Sequence, residues 1–347
     1  MTKNDVLSLV QALVQALVEG QSLDESQAET FFKEIVLGNV DDILLASAIT
    51  AIKVRTQTAG ELTGAARALL DSATPFPRPD YPFADVVGTG GDGHNTINLS
   101  TIAAITAATC GVKIVKHGNR SISSVSGSFD LLEKLGIDFN VTPEQSRSQT
   151  DQHGVCFLFA PNYHSGLKHA ANVRKTLKTR TIFNLLGPLV NPARPPMMLL
   201  GVADPTLLIP VATVLEQLGC QSAFVVHGSG VDEVAIHGET SIVEVSGEGL
   251  KQTVLRPIDF GSEEFPLEDL VCHDGAASHR RSMDVLKGQG SPAENAAVSV
   301  NVAMVLKLFA GSEPRYADLK NNFALAMESL MEGRPMQLID KMVGDVA

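Results

Sequence analysis

Three stretches of the 347-residue chain collect the residue types that hold anions and metal ions. The first is Gly88-Thr89-Gly90-Gly91-Asp92-Gly93, followed by Asn95-Thr96-Ile97-Asn98-Leu99-Ser100-Thr101. Glycine lets the backbone approach a ligand closely and aim several N–H groups at one anion. The polar residues after it lead into a helical run over 100–110, whose first-turn N–H groups and dipole favour a phosphate. The same residues also fit a plain strand-to-helix connector. The GxxxxGK[ST] pattern of a nucleotide loop is absent.

The second stretch, Lys116-His117-Gly118-Asn119-Arg120-Ser121-Ile122-Ser123-Ser124, puts two permanent cations, a histidine, an asparagine and three hydroxyls into nine residues. It reads as an anion cradle at the C-terminal end of a strand, where open parallel sheets bind ligands, or as a solvated polar loop. Ser126-Gly127-Ser128 then opens another helix. The third stretch, His227-Gly228-Ser229-Gly230-Val231-Asp232-Glu233, ends in adjacent carboxylates. These are hard oxygen ligands of the kind Mg²⁺ takes alongside water and phosphate, although Asp-Glu pairs also sit on solvated surfaces. Arg174, in the cation-rich run 172–181, offers a guanidinium fork for a carboxylate or a solvated helix face. No G-x-S-x-G elbow and no Cys/His pair supplies an activated nucleophile, so positioning and charge stabilisation are the expected means of catalysis.

Periodicity supplies the elements that must carry these groups. Val6, Leu9, Val10, Leu13, Val14 and Leu17 recur at helical steps and Gly20 stops them. Further helices are predicted over 25–37, 40–54 and 59–70. Four prolines between Pro75 and Pro82 then forbid a helix and mark a linker. Beyond it, apolar runs at 84–87, 112–116, 155–159 and 223–227 read as strands, and 100–110, 129–135, 143–153 and 205–218 as helices. Thr142-Pro143-Glu144-Gln145 is a capping box with proline in the first turn, and Asp204-Pro205 repeats the cap and the proline. Residues 240–272 read as additional strands and loops, and the tail as helices over 294–309, 316–331 and 336–343. Strand–helix alternation predicts an α/β fold, a mainly parallel central sheet flanked by helices, preceded by a small all-helical domain.

Composition narrows the function classes. A formal net charge of −12 argues against a protein that tracks nucleic-acid phosphates, and aromatics at 5% with no Trp argue against a base-stacking platform. No apolar run reaches the ~18 residues of a membrane helix, and the N-terminus lacks the order of a signal peptide. The four cysteines are too far apart for a zinc pattern or a disulfide framework, which suits a cytoplasmic protein with free thiols.

GTGGD at 88–92, NLST at 98–101, KHGNRSISS at 116–124 and RTIFNLLGPLVNP at 180–192 together resemble the anthranilate phosphoribosyltransferases of tryptophan biosynthesis. The resemblance spans essentially the whole chain, and KHGNR followed by RTxFNxLGPLxNP is its specific part. It implies a cytoplasmic homodimer of two-domain subunits, a helical domain over 1–75 completed by a segment near 166–188 and an α/β domain over 80–347. It implies transfer of phosphoribosyl from phosphoribosyl pyrophosphate (PRPP) to the amine of anthranilate, releasing pyrophosphate, with Mg²⁺. By matching positions, it assigns PRPP contacts to Gly88, Gly91, Asp92, Thr96, Asn98, Leu99, Ser100, Thr101, Lys116, His117, Gly118, Asn119, Arg120, Ser121, Ile122, Ser123, Ser124 and Ser128. Gly88, Asn119 and Arg174 fall to anthranilate, and Ser100, Asp232 and Glu233 to Mg²⁺. Lys116, His117 and Arg174 are expected to position the reactants, with no side chain required as a strong base, because an aromatic amine attacks neutral.

Two rivals share the fold: a pyrimidine nucleoside phosphorylase and a non-catalytic nucleic-acid-binding relative. Asp232-Glu233 and the intact KHGNR favour PRPP over the first, and net acidity disfavours the second. No amidotransferase region precedes the helical start, so a stand-alone chain is expected.

Overall fold

A computed structural model describes residues 3–120 and 127–345. Four helices come first: α1 (Lys3–Val18), α2 (Glu25–Val36), α3 (Asp42–Arg55) and α4 (Ala59–Asp71). Local chemistry sets their starts. The Asp24 carboxylate accepts from Gln27 N–H while the Gln27 side chain accepts from Asp24 N–H, and Thr58 with Glu61 repeats this box at α4. Glu61 is fully buried and earns a second use: it also accepts from Leu23 N–H and pairs with Arg55, so one side chain ties three parts of the bundle.

The remainder alternates. The elements are β1 (Ala84–Gly88), α5 (Leu99–Thr109), β2 (Ile114–Gly118), α6 (Ser128–Lys134), α7 (Pro143–His153), β3 (Val155–Phe159), α8 (Ala160–Tyr163), α9 (Lys168–Leu177), α10 (Ile182–Leu186), β4 (Met197–Gly201), α11 (Leu208–Gln217), β5 (Ser222–Gly228), β6 (Thr240–Ser246), β7 (Gly249–Leu255), α12 (Gly275–Leu286), α13 (Pro292–Leu308), α14 (Leu319–Met331) and α15 (Arg334–Gly344). The sheet order is β3-β2-β1-β4-β5-β6-β7. The first five strands are parallel, and β6 and β7 close the far side as an antiparallel pair.

Side chains alternate between the two faces of the sheet. Ala84 and Val86, Met197 and Leu199, and Phe224 and Val226 enter one core with α5, α13 and α14. Met198, Leu200, Ala223 and Val225 enter a second core that is continuous with the helical bundle. α9 packs on α2 and α3, and α10 on α3 and α4, so residues beyond β3 join the N-terminal helices.

Several elements depart from the expectations. β4 has no counterpart among the predicted strands, although it lies between β1 and β5. Its run Met-Met-Leu-Leu lacks β-branched residues and alternation, because a central parallel strand is buried on both faces and reads like helix core. β2 begins at Ile114 rather than Val112 and carries Lys116 and His117 inside it. The helix expected from Pro205 opens as a 3₁₀ turn, Pro205–Leu207, and the one expected from Tyr316 starts at Leu319. α8, α10 and α12 have no counterpart among the predicted helices. Pro292–Gly311 is long and apolar enough to cross a bilayer, contrary to the count of apolar runs, but 89% of that stretch is buried inside the protein.

Candidate active site

The chain runs outward from β1 through β2 to β3, then returns to lay β4 against the other side of β1. Loops diverge at such a reversal and leave a crevice at the C-terminal strand ends. A cavity of about 350 Å³ lies there. The turn after β1, the loop after β2 and the segment after β5 line it, and Leu69, Arg174 and Phe183 from α4, α9 and α10 form the opposite wall.

Asp232 is packed over the ends of β1 and β4. Gly88 and Gly201 are register partners, and a Cβ on either would overlap Asp232, on its carboxylate at 88 and its backbone carbonyl at 201. Gly90 N–H donates to Asp232 Oδ2 at 2.6 Å, which draws the glycine turn onto the acidic doublet. The Ser100 backbone N–H, in the first turn of α5, donates to the Glu233 carboxylate. Burial, then the nearby Asp92, pushes Asp232 up to about 6. Burial, then Asp232, holds Glu233 well above the usual carboxylate range. Crowded hard-oxygen donors of this kind suit a divalent cation. Among the described residues no group of three or more His, Cys, Asp or Glu side chains is placed to hold a metal ion.

Alternation along β2 sends Lys116 and His117 to opposite faces. Lys116 is buried against α5, donating to Ser100 Oγ at 3.2 Å and to Val86 O. Burial draws its pKa down, while Asp85, Glu233 and Asp232 oppose the fall. His117 meets the His164 ring edge-on, with centroids 5.3 Å apart. Burial and then His164 push His117 down to about 3, so its ring is neutral, and its Nε2 is buried without a partner. Beneath β2, Asp85 accepts from Asn191 Nδ2 at 2.8 Å and from Val86 N–H at 2.7 Å. It is fully buried and desolvation raises it to about 6.

Arg174 stacks over the Phe183 ring at 5.3 Å. It has no acidic partner among the described residues, and burial alone lowers its pKa. Arg180, from the cation-rich run 172–181, also lines the cavity. Its Nη2 donates to Thr89 O at 3.2 Å, and its Nη1 stands where a Cβ of Gly91 would be. Gly91 has φ +81°, a left-handed backbone that favours glycine.

Gly88, Gly91, Asp92, Thr96, Asn98, Leu99, Ser100, Lys116, His117, Gly118, Asn119, Arg120, Ser128, Arg174, Asp232 and Glu233 all line this one cavity. Thr101 does not: it is buried in α5 and its hydroxyl has no partner. The Arg120 guanidinium is engaged by Glu133 at 2.8 Å and by Asp130 at 3.2 Å. Ser121, Ile122, Ser123 and Ser124 lie outside the described residues. The reading missed Asp85, His164, Arg180, Asn191 and Gly201; an acid inside the apolar run Ala-Asp-Val-Val was the available signal for the first.

Residues 80–336 match the glycosyl transferase family α/β domain, and residues 11–73 match its helical bundle domain. The anthranilate phosphoribosyltransferase of Photobacterium profundum is 50% identical over 330 residues, covering 95% of this chain and 96% of its own length. The crystal structure of the Thermus thermophilus anthranilate phosphoribosyltransferase has a TM-score of 0.88 at 38% identity, covering 96% of this chain and 98% of that one. The Saccharomyces cerevisiae enzyme in complex with PRPP and Mg has a TM-score of 0.87 at 29% identity, covering 99% of each chain. The same yeast enzyme is also known in complex with 4-fluoroanthranilate. With a bundle domain and an α/β domain both matched and half the residues shared with a full-length relative, the chain belongs to the anthranilate phosphoribosyltransferase family of glycosyl transferases.

Proposed function

We propose that the protein transfers the phosphoribosyl group of PRPP to the anthranilate amine, giving N-phosphoribosylanthranilate and pyrophosphate in tryptophan biosynthesis. The observation that carries this reading is the meeting of three polar loops on one cavity, across from an Arg174 that has no acidic partner among the described residues. The helical unit over 1–75, with the segment near 166–188, supplies one wall, and the unit over 80–347 supplies the other.

Breaking the bond from ribose C1 to the diphosphate builds positive charge on the sugar and negative charge on the leaving oxygens. N–H groups of the 88–93 turn and the buried Lys116 ammonium face that negative charge. Asp232 and Glu233, with Ser100, would hold Mg²⁺, which would supply positive charge for the leaving diphosphate. Arg174 and Asn119 hold the anthranilate carboxylate and aim its amine at C1. The amine attacks neutral and releases its proton after the new C–N bond forms. His117, held neutral by burial, positions the aromatic ring rather than taking that proton.

Two copies form the working unit. Leu7 and Val18 on α1, and Ile43 and Val54 on α3, are exposed large apolar residues, which leaves apolar surface on both helices for a second chain. Light scattering checks this against twice the chain mass. The four free cysteines suit the cytoplasm.

The deciding assay follows anthranilate fluorescence with PRPP and Mg²⁺, omitting each in turn. Signal loss only in the complete mixture is expected. Undiminished signal there, or phosphorolysis of thymidine or uridine instead, would overturn the reading.

A further inference from the structure

The rim that receives the diphosphate is itself acidic. Asp92, Asp232 and Glu233 line the cavity beside the 88–93 turn, with Lys116 buried among them. The Arg120 guanidinium is engaged by Asp130 and Glu133 of α6. Arg174 lies against Phe183 on the other wall. Arg180 is the cation that stands directly on the turn, and it forms no ion pair among the described residues.

The protein holds it there from both sides. The link between α9 and α10 turns through Lys178 in the left-handed region, at φ +47°. The Thr179 hydroxyl accepts from Lys53 Nζ of α3, and Thr181 begins α10 with its N–H donating to Asn184 Oδ1 at 2.9 Å. Between these anchors Arg180 reaches across the cavity. One of its five N–H donors goes to Thr89 O, and the guanidinium is exposed toward the space above Gly91. A guanidinium fork beside backbone N–H groups matches the paired oxygens of a diphosphate.

We propose that Arg180 binds the diphosphate of PRPP and stabilises it as it leaves. The inference rests on the reaction proposed above and adds a ligand to it. Because Arg180 comes from the α9–α10 link and not from the sheet loops, the diphosphate is gripped from both walls of the cavity.

The test uses the full-length enzyme and inorganic pyrophosphate with Mg²⁺ as the probe, read as inhibition competing with PRPP. Arg180→Gln keeps a neutral donor for Thr89 O and removes the charge; Arg180→Lys keeps the charge. Pyrophosphate inhibition and PRPP KM should both worsen about tenfold or more in the Gln variant, the scale of one charged hydrogen bond, with anthranilate KM nearly unchanged. The Lys variant should recover part of the loss, and thermal midpoints should match the wild type. Unchanged pyrophosphate inhibition in the Gln variant overturns the inference. So do equal losses in the Gln and Lys variants, which would mark Arg180 as a strap between the walls. If the wild type consumes anthranilate while residue 180 is without effect, only this inference falls. If the wild type does not consume anthranilate, the reaction falls and the inference falls with it.

Discussion

Burial treats the charged side chains around the cavity unequally. Lys116 loses water but keeps three carboxylates within electrostatic reach, so its charge is compensated inside the protein. Arg174 is desolvated with only the Phe183 face beside it, and its compensation has to come from a ligand. Arg174→Ala should therefore raise anthranilate KM tenfold or more, roughly the worth of a charge-assisted fork, and leave PRPP KM within about twofold. Steady-state kinetics with each substrate varied in turn checks this, and equal rises in both would remove the carboxylate role. At this scale residue types speak for themselves: Lys116, Asp232 and Glu233 stand out in the sequence by charge and spacing. What a cation rests against does not: Arg174 lies on the Phe183 ring and Arg180 on Thr89 O, a difference that the run 172–181 does not carry.

Among the elements, the junction of β1, β4 and the β5 loop is the most constrained. Gly88 and Gly201 lie side by side, and the segment bearing Asp232 crosses both. At Gly201 the obstructing atom is a backbone carbonyl, which cannot swing aside as a side chain does. Gly201→Ala should displace the 231–233 segment and reduce turnover at least tenfold, while overpacking lowers stability by about 1–3 kcal/mol. A far-UV spectrum like the wild type's with lost activity is the expected pair of results; full activity would show that the doublet need not sit there. The first of these glycines was evident as part of a glycine-rich turn. The second was not, because it closes a strand whose Met and Leu residues carry no β signal, and its need for glycine comes from a segment 31 residues further on.

For the whole molecule, buried titratable groups pull the pH dependence of stability in opposite directions. His117 is neutral in the folded state, with its pKa near 3 against an ordinary 6.5. Unfolding lets it take up a proton below 6.5, so its contribution is full above that pH and is lost as pH falls toward 3. His164 shifts the same way. Asp85, raised from 3.8 to about 6, acts oppositely: its contribution is full below 3.8 and is lost as pH rises through 6. Replacing His117 by Asn removes one proton uptake, worth roughly 2 kcal/mol at pH 5. The fall in thermal midpoint between pH 7.5 and pH 5 should be shallower in His117→Asn than in the wild type, by a few degrees. Parallel curves would mean that the ring titrates normally in the folded protein.

Local chemistry was readable residue by residue. Capping pairs start α2, α4 and α7, prolines interrupt the chain after α4, glycines permit the turn after β1, and charged types mark the loops after β2 and β5. Each of these depends on a residue and its near neighbours, so each is legible along the chain. So is the family, because whole motifs repeat those of known relatives. The tertiary structure alone decided that β4 returns beside β1, that Asp232 covers two glycines from different strands, and that Arg180 comes to rest on Gly91. Those outcomes depend on which strand is next to which and on how much water each charge loses. Both are set by packing between segments far apart in the chain, for which no local pattern exists to be read.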